Sequence, residues 1–466
     1  MTEPQPRPAA ADGAAQPEEP DLLRGILLTP GYLKSLVFCA LIGIPVSLAA
    51  FWFLVGMHEF GHVLWADIPH AWGWDTAPWW WPLPLLAIAG VCVGLIATHL
   101  PGAGGHIPSS GLHVGGASPI ALPGVLLAAM ASLPFGAVLG PEAPLIALGS
   151  GLAPLFRNLV RGAATPQSTA LLAAAGAAAA IAAIFGNPLI AAVLLIEVAG
   201  IGGPRLFAVM LPALLSSGVG ALVFTGFGRW TGLQTGSLAL KLPTPFPRLD
   251  AGDVLWSLLM AVAIGTLVHL VLGTGRLTAA FVAVRTFPRT VLCALGAAAC
   301  AALYALITDR TPEEVASSGQ ATLSAMATDP HAWGIGALVA ILLFKGVAYA
   351  LCLGSLRGGP IFPALFLGAA AGVLCAPLPG LGLVPALAAG MAASAASALR
   401  LPVSSVVLVV LLLGSSAMMP VVILAAVVAF VTTELLPSWP GPAPAAPVPA
   451  PSPSPAPGAQ QGPTKA

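Results

Sequence analysis

The sequence predicts an all-α polytopic membrane protein built from many spanning and partially spanning helices. Of its 466 residues, 58% are apolar and only 7% are charged, with a mean hydropathy of +0.94. A soluble chain of this size needs far more charge to cover its surface. Apolar runs of about 15–20 residues recur from Val37 to Leu436, enough to reach across a bilayer core of about 30 Å. Glycine (53) and proline (47) are abundant inside these runs as well as outside them. There they interrupt spans and let backbones approach closely.

Taken in order, apolar helices are expected near 35–56, 83–99, 119–133, 144–157, 168–184, 188–199, 206–225, 252–273, 289–307, 333–353, 361–376, 382–398, 402–415 and 419–436. Several are too short to span. Trp79, Trp80 and Trp81, after Trp72 and Trp74, suit a headgroup interface, where amphipathic rings prefer to sit. The polar stretch Thr308–Ala327 is the longest internal loop candidate. Residues 1–24 carry acids and prolines and should be a disordered tail, without the basic and apolar succession of a cleaved signal peptide. Residues 25–437 form the transmembrane domain, in halves of roughly 30–230 and 250–437, and the Pro/Ala-rich stretch 438–466 should be a disordered extension.

Seventeen basic and seventeen acidic residues cancel, so no nucleic-acid partner is expected. The six cysteines stand singly in apolar segments without a CxxC pair and read as buried thiols. No cofactor is expected, and the chain is placed in the cell membrane as a multi-pass protein.

A weak internal repeat runs through the apolar region. GPEAPLIALGSG, an Ala-rich stretch and FGNPLIAAVLLIE lie in the first half; RGGPIFPALFLGAAAG, a second Ala-rich stretch and LRLPVSSVVLVVLLL lie in the second. Paired, interrupted helices in corresponding halves point to a transport site near the bilayer midplane. Glu142 sits in the first of these breaks. Gly140-Pro141 stops one helix and Pro144 suits the first turn of the next. That leaves Glu142 on irregular backbone beside a helix N-terminus, whose free N–H groups attract anions. A carboxylate there acts as a tethered anion competing with a diffusible one, and protonation releases it.

Four landmarks in this order resemble those of the CLC family of chloride channels and proton/chloride antiporters, over roughly residues 30 to 437. GGHIP at Gly104–Pro108 is similar to the family's GSGIP, and GPEAP at Gly140–Pro144 to its GREGP. Phe185–Glu197 is similar to its FNAPLAG…IEE helix, and GGPIFP at Gly358–Pro363 to its GGxFxP. The resemblance implies a homodimer of inverted-repeat subunits in the lipid bilayer, each with its own pathway for chloride or another small anion. It makes Glu142 the gate and Gly104, Gly105, His106, Ile361 and Phe362 the anion-binding positions.

The departures from the family pattern are specific. Gly105 replaces a serine hydroxyl with a backbone N–H alone, with His106 as a candidate replacement. Pro360 removes a backbone donor, and no tyrosine follows Tyr349 to supply the family's central hydroxyl. Glu197 aligns with the first of the antiporters' two glutamates and Val198 with the second, the proton relay. Glu142 and Glu197 are then the candidate proton path, and passive conduction is favoured over coupled exchange. Fluoride and nitrate stay open as substrates, as does a protein of this shape with little transport. Lys345, Arg357 and Arg400 lie at edges of apolar helices. Arg357 would raise anion concentration at a vestibule, or these side chains snorkel to the interface.

A different class of function is suggested by His58-Glu59-Phe60-Gly61-His62. This HExxH pattern puts two imidazoles on one helix face for zinc, with a glutamate as base. An intramembrane metalloprotease would need a third ligand, and neither Glu142 nor Glu197 has the setting for one.

Overall fold

The structure, a computed structural model, describes residues 24–25, 28–111, 118–159, 166–199, 204–236, 240, 242 and 248–439. The expected tails therefore lie outside the described residues except for Arg24, Ser438 and Trp439. The last packs on α8 (below), its indole N–H donating to His269 Nε2 at 3.0 Å, so packing continues past the expected boundary.

Every apolar run forms a helix, because a backbone in hydrocarbon must satisfy its polar groups internally. The first half contains α1 (Pro30–His62), α2 (Pro82–His99), α3 (Leu122–Ser132), α4 (Glu142–Leu159), α5 (Pro166–Phe185), α6 (Pro188–Ala199) and α7 (Pro204–Thr231). The second contains α8 (Ala251–Val284), α9 (Thr286–Thr308), α10 (Gln320–Thr328), α11 (Ile335–Ser355), α12 (Ile361–Cys375), α13 (Leu383–Leu399), α14 (Pro402–Leu413) and α15 (Met419–Leu435). Seven helices among the described residues are long and apolar enough to cross a membrane, and several more are apolar but shorter. Proline opens many of them at the first turn, where its missing N–H costs nothing. α8 starts instead on a capping box: Asp250 Oδ1 accepts from the Asp253 N–H and Asp253 Oδ2 from the Asp250 N–H. Asp253 Oδ1 also accepts the Gly382 N–H at 3.0 Å, tying the start of α13 to α8.

Packing repeats between the halves. In the first, α4 packs on α5, α1 on α7, and α5 on α1, α6 and α7. In the second, α12 packs on α13, α8 on α15, and α13 on α8, α14 and α15. Between the halves, α2 packs on α9 and α6 on α14, and the short turn Pro108–Ser110 meets α8 and α11. The tightest contacts are matched too. A Cβ on Gly149 would strike the Gly176 carbonyl of α5, and one on Gly368 the Gly390 carbonyl of α13. Gly149 and Gly368 occupy the same turn of α4 and α12, so both helix pairs close backbone to backbone as small residues allow.

Among the described residues there is no β-strand, only an antiparallel bridge between Gly140 and Gly359. The Gly140 N–H donates to the Gly359 carbonyl at 2.8 Å, and the Gly359 N–H to the Gly140 carbonyl at 2.5 Å. Each glycine stands two residues before its helix, in GPEAP and GPIFP. Equivalent residues that bond reciprocally require a local two-fold axis between them. The two repeats are therefore inverted about this bridge, with the N-termini of α4 and α12 opposed.

Two expectations are corrected. The Thr308–Ala327 stretch is not one loop: its second half begins α10, whose face buries Leu323, Met326 and Ala327. Lys345 is not at a helix edge but in the middle of α11, fully buried. Its Nζ donates to the carbonyls of Glu314, Val315, Ala316 and Ser317 at 3.0–3.2 Å and lies 4.5 Å from the Phe366 ring centroid. An ammonium in hydrocarbon demands such compensation. The Ser317 N–H in turn donates to the Gly136 carbonyl at 2.9 Å, so Lys345 pins the loop that braces the chain leading into Glu142.

Candidate functional site

Three backbone breaks converge beside the bridge: residues 102–106, 140–141 and 357–360. The first reverses the chain through four consecutive positive φ values, at Gly102 (76°), Ala103 (49°), Gly104 (74°) and Gly105 (96°). Glycine alone takes such angles without cost, which gives that run its composition. Arg357 ties this break to the third. Its Nε and Nη2 donate to the Ala103 carbonyl at 3.3 and 3.1 Å, and its backbone N–H donates to Ser132 Oγ at 3.3 Å. Arg357 is buried rather than snorkelling, and its stem packs on Gly104. Arg400, by contrast, is at a helix end as expected, paired with Glu434 at 3.4 Å.

Glu142 occupies the centre. It is the first residue of α4, not part of the irregular break before it, and is fully buried. Its side chain crosses the two-fold bridge to the opposite helix, where Oε1 accepts the Phe362 N–H at 2.9 Å. The carboxylate thus sits on the N-terminus of α12, where unpaired amides and the positive dipole end favour negative charge. Oε2 has no hydrogen-bond partner among the described residues. It lies against Gly359, and both Gly140 and Gly359 owe their lack of a side chain to it: a Cβ on either would collide with the carboxylate.

Around this seat the structure brings together Ile361 and Phe362 as expected, and adds residues that sequence reasoning missed. Tyr349, fully buried, donates its hydroxyl to the Pro360 carbonyl at 2.7 Å and fixes the turn that opens α12. Tyr349 and Lys345 are four residues apart on α11 and share a face. Two polar side chains at helical spacing in an otherwise apolar span were the available signal. Phe185, at the end of α5, faces Phe362 with ring centroids 5.7 Å apart. Both rings line a cavity of about 270 Å³ with Arg229, Thr235 and Leu412. A second cavity, of about 390 Å³, is lined by Leu139 and Pro141 beside the seat and by His58, His62 and Glu313 further out.

Of the remaining expected residues, Gly105 lies in the first break and packs on Val125, and His106 after it is exposed. Glu197 reaches the start of α14, where Oε1 accepts the Val403 N–H at 3.0 Å and Oε2 the Ser404 N–H and hydroxyl at 2.7 and 2.6 Å. It caps that helix and joins the two halves. His58, Glu59 and His62 are exposed at the end of α1. Among the described residues no group of three His, Cys, Asp or Glu is placed to hold a metal, so the HExxH pattern lacks the third ligand of a catalytic zinc and the protease reading is not supported.

Inverted repeats of apolar helices, with short helices opposed N-terminus to N-terminus, define a multi-pass membrane protein. The chain belongs to the family described as Voltage gated chloride channel, whose profile matches residues 89–434. A slow cyanobacterial Cl−/H+ antiporter has a similar fold, with a TM-score of 0.67 at 17% identity, over 87% of this chain and 95% of that one. A CLC-type fluoride/proton antiporter gives 0.64 at 19% identity, over 87% and 97%. The candidate ion-transport protein YfeO of Salmonella newport and of Salmonella typhimurium is 32% identical over 190 residues, 40% of this chain and 46% of theirs. The match thus spans about half the length of these curated relatives. The protein is a multi-pass membrane protein of the CLC family.

Proposed function

We propose that the chain conducts chloride or a similar anion passively, through a pathway that the Glu142 side chain closes by occupying the anion's own seat. The observation that carries this reading is the Glu142 Oε1 contact with the Phe362 amide at 2.9 Å. A backbone N–H at a helix N-terminus binds carboxylate and halide by the same charge attraction, so the two exclude one another. Protonation removes the carboxylate's advantage and frees the seat. Passive conduction is favoured because Val198 stands at the relay position and Glu197 already spends both oxygens on the α14 N-terminus. The homodimer implied by family resemblance belongs to the same proposal; it is tested by mass measurement in detergent, where a monomer would refute it.

Anion efflux from proteoliposomes tests the gate, with chloride, fluoride and nitrate compared and internal pH followed. Glu142→Gln or Glu142→Ala is expected to raise flux and flatten its pH response. Flux and pH response equal to wild type would end the assignment. A coupled proton/anion antiporter is the second reading, favoured by the likeness to two solved antiporters. Stoichiometric proton uptake during efflux would establish it over passive conduction.

A further inference from the structure

The end of α1 carries a feature that the anion pathway does not explain. After His62 the helix widens into a π-turn, Val63–Asp67, where the Ile68 N–H reaches back to the Val63 carbonyl. Pro69 follows, so the next carbonyl, Leu64, has no donor five residues on. The Trp81 indole N–H takes it at 3.0 Å. The wider turn has a local effect. In an α-helix, residues five apart lie about 140° round the axis, whereas here Asp67 swings under His62, with Oδ1 3.2 Å from Nδ1. A carboxylate against Nδ1 holds the proton on that nitrogen and leaves the Nε2 lone pair free. This is how ligating histidines are oriented in metal sites.

His58 is one helical turn earlier on the same face, and both imidazoles line the 390 Å³ cavity that ends at Leu139 and Pro141. Gly236 backs the His58 ring, where a Cβ would stand 3.0 Å from Nδ1. π-turns of this kind are frequent at functional sites. We propose that His58 and His62 form a reversible binding site for a divalent transition-metal cation of the zinc, nickel or copper class, oriented by Asp67 and completed by water. Two imidazoles at i and i+4 suit these ions and not magnesium or calcium, which demand oxygen. Two protein ligands make a site that fills and empties, unlike the closed four-ligand structural sites. A cation bound there occupies the approach to Glu142 and blocks anion flux. That consequence rests on the gated-pathway reading, whereas the binding site does not.

Zinc chloride titrated into chelator-treated, purified full-length protein is the experiment, read by calorimetry and by anion efflux in proteoliposomes. One zinc ion should bind per chain, with magnesium giving no heat. His58→Ala and His62→Gln should each abolish binding, and Asp67→Asn should weaken it about 10- to 100-fold, the usual effect of losing a carboxylate behind a ligating histidine. All three side chains are solvent-exposed, so the variants should fold, as the unfolding temperature checks. No zinc binding, or binding that survives both histidine substitutions, overturns the proposal. Binding that obeys the substitutions but leaves flux unchanged upholds the site and refutes the cavity as the route to Glu142.

Discussion

Replacing Gly359 with alanine separates the seat from the residue that fills it. The new methyl would stand 2.8 Å from Cδ and 3.0 Å from Cβ of Glu142, and nearer still to Oε2. All three of these nearest atoms belong to the Glu142 side chain: its carboxylate can rotate away, while its Cβ, held by the backbone, has to give by a few tenths of an ångström. Gly359 is not among the glycines at positive φ, so alanine accepts its conformation and the bridge to Gly140 persists. The carboxylate must leave, losing a hydrogen bond to a charged group worth about 1.5–3 kcal/mol. That shifts the ratio of seated to unseated side chain by roughly 10- to 100-fold. Chloride efflux from proteoliposomes at neutral and acidic pH reads the result. Gly359→Ala should approach the flux of Glu142→Ala while retaining its glutamate, and the double variant should add little to either alone. Gly359→Ala that folds, conducts like wild type and keeps the wild-type pH response would refute the seat geometry.

Other expectations follow from the same contacts. Lys345→Met leaves four carbonyls without their shared cation and should cost about 3–5 kcal/mol, read as a lowered unfolding temperature in detergent; Lys345→Arg should rescue poorly, because a planar fork cannot address carbonyls that converge on a point. Glu197→Gln weakens the cap of α14 and should cost about 1 kcal/mol while leaving flux per folded protein unchanged; a selective loss of proton movement would assign Glu197 to a relay instead. Gly368→Leu drives a side chain into the Gly390 carbonyl and should reduce folded yield in detergent chromatography far more than a leucine at exposed Gly334, beside which a Cβ would meet nothing.

The fold was legible because hydrocarbon permits so few backbones. Each apolar run became a helix, and the Gly-Pro breaks at 140–141 and 359–360 marked where half-spanning helices begin. α10 was not legible: QATLSAMAT is polar enough to read as loop, and only packing against the underside of α12 makes it a helix. Glu142 stood out as a charge in hydrocarbon flanked by prolines. Its partner did not, since the Phe362 amide is a main-chain group that no side-chain pattern reports. In the sequence Tyr349 is only a tyrosine in the wrong place for the family, whereas in the fold it lies directly behind Pro360. The position of Lys345 is hidden for a related reason. A lysine inside an apolar run reads as a helix edge unless the carbonyls that surround it, some thirty residues earlier in the chain, are known to meet it.

The bridge between Gly140 and Gly359 bears on the direction of transport. Its two-fold axis makes GPEAP and GPIFP local structural equivalents, so at the bridge the backbone offers the same groups in both directions. At the bridge the two repeats differ by one pair of side chains, Glu142 in one and Ile361 at the matching position of the other. The gate proposed above would therefore place its acid-sensing group on one repeat alone. Exchanging that pair should turn the sensor to face the opposite compartment.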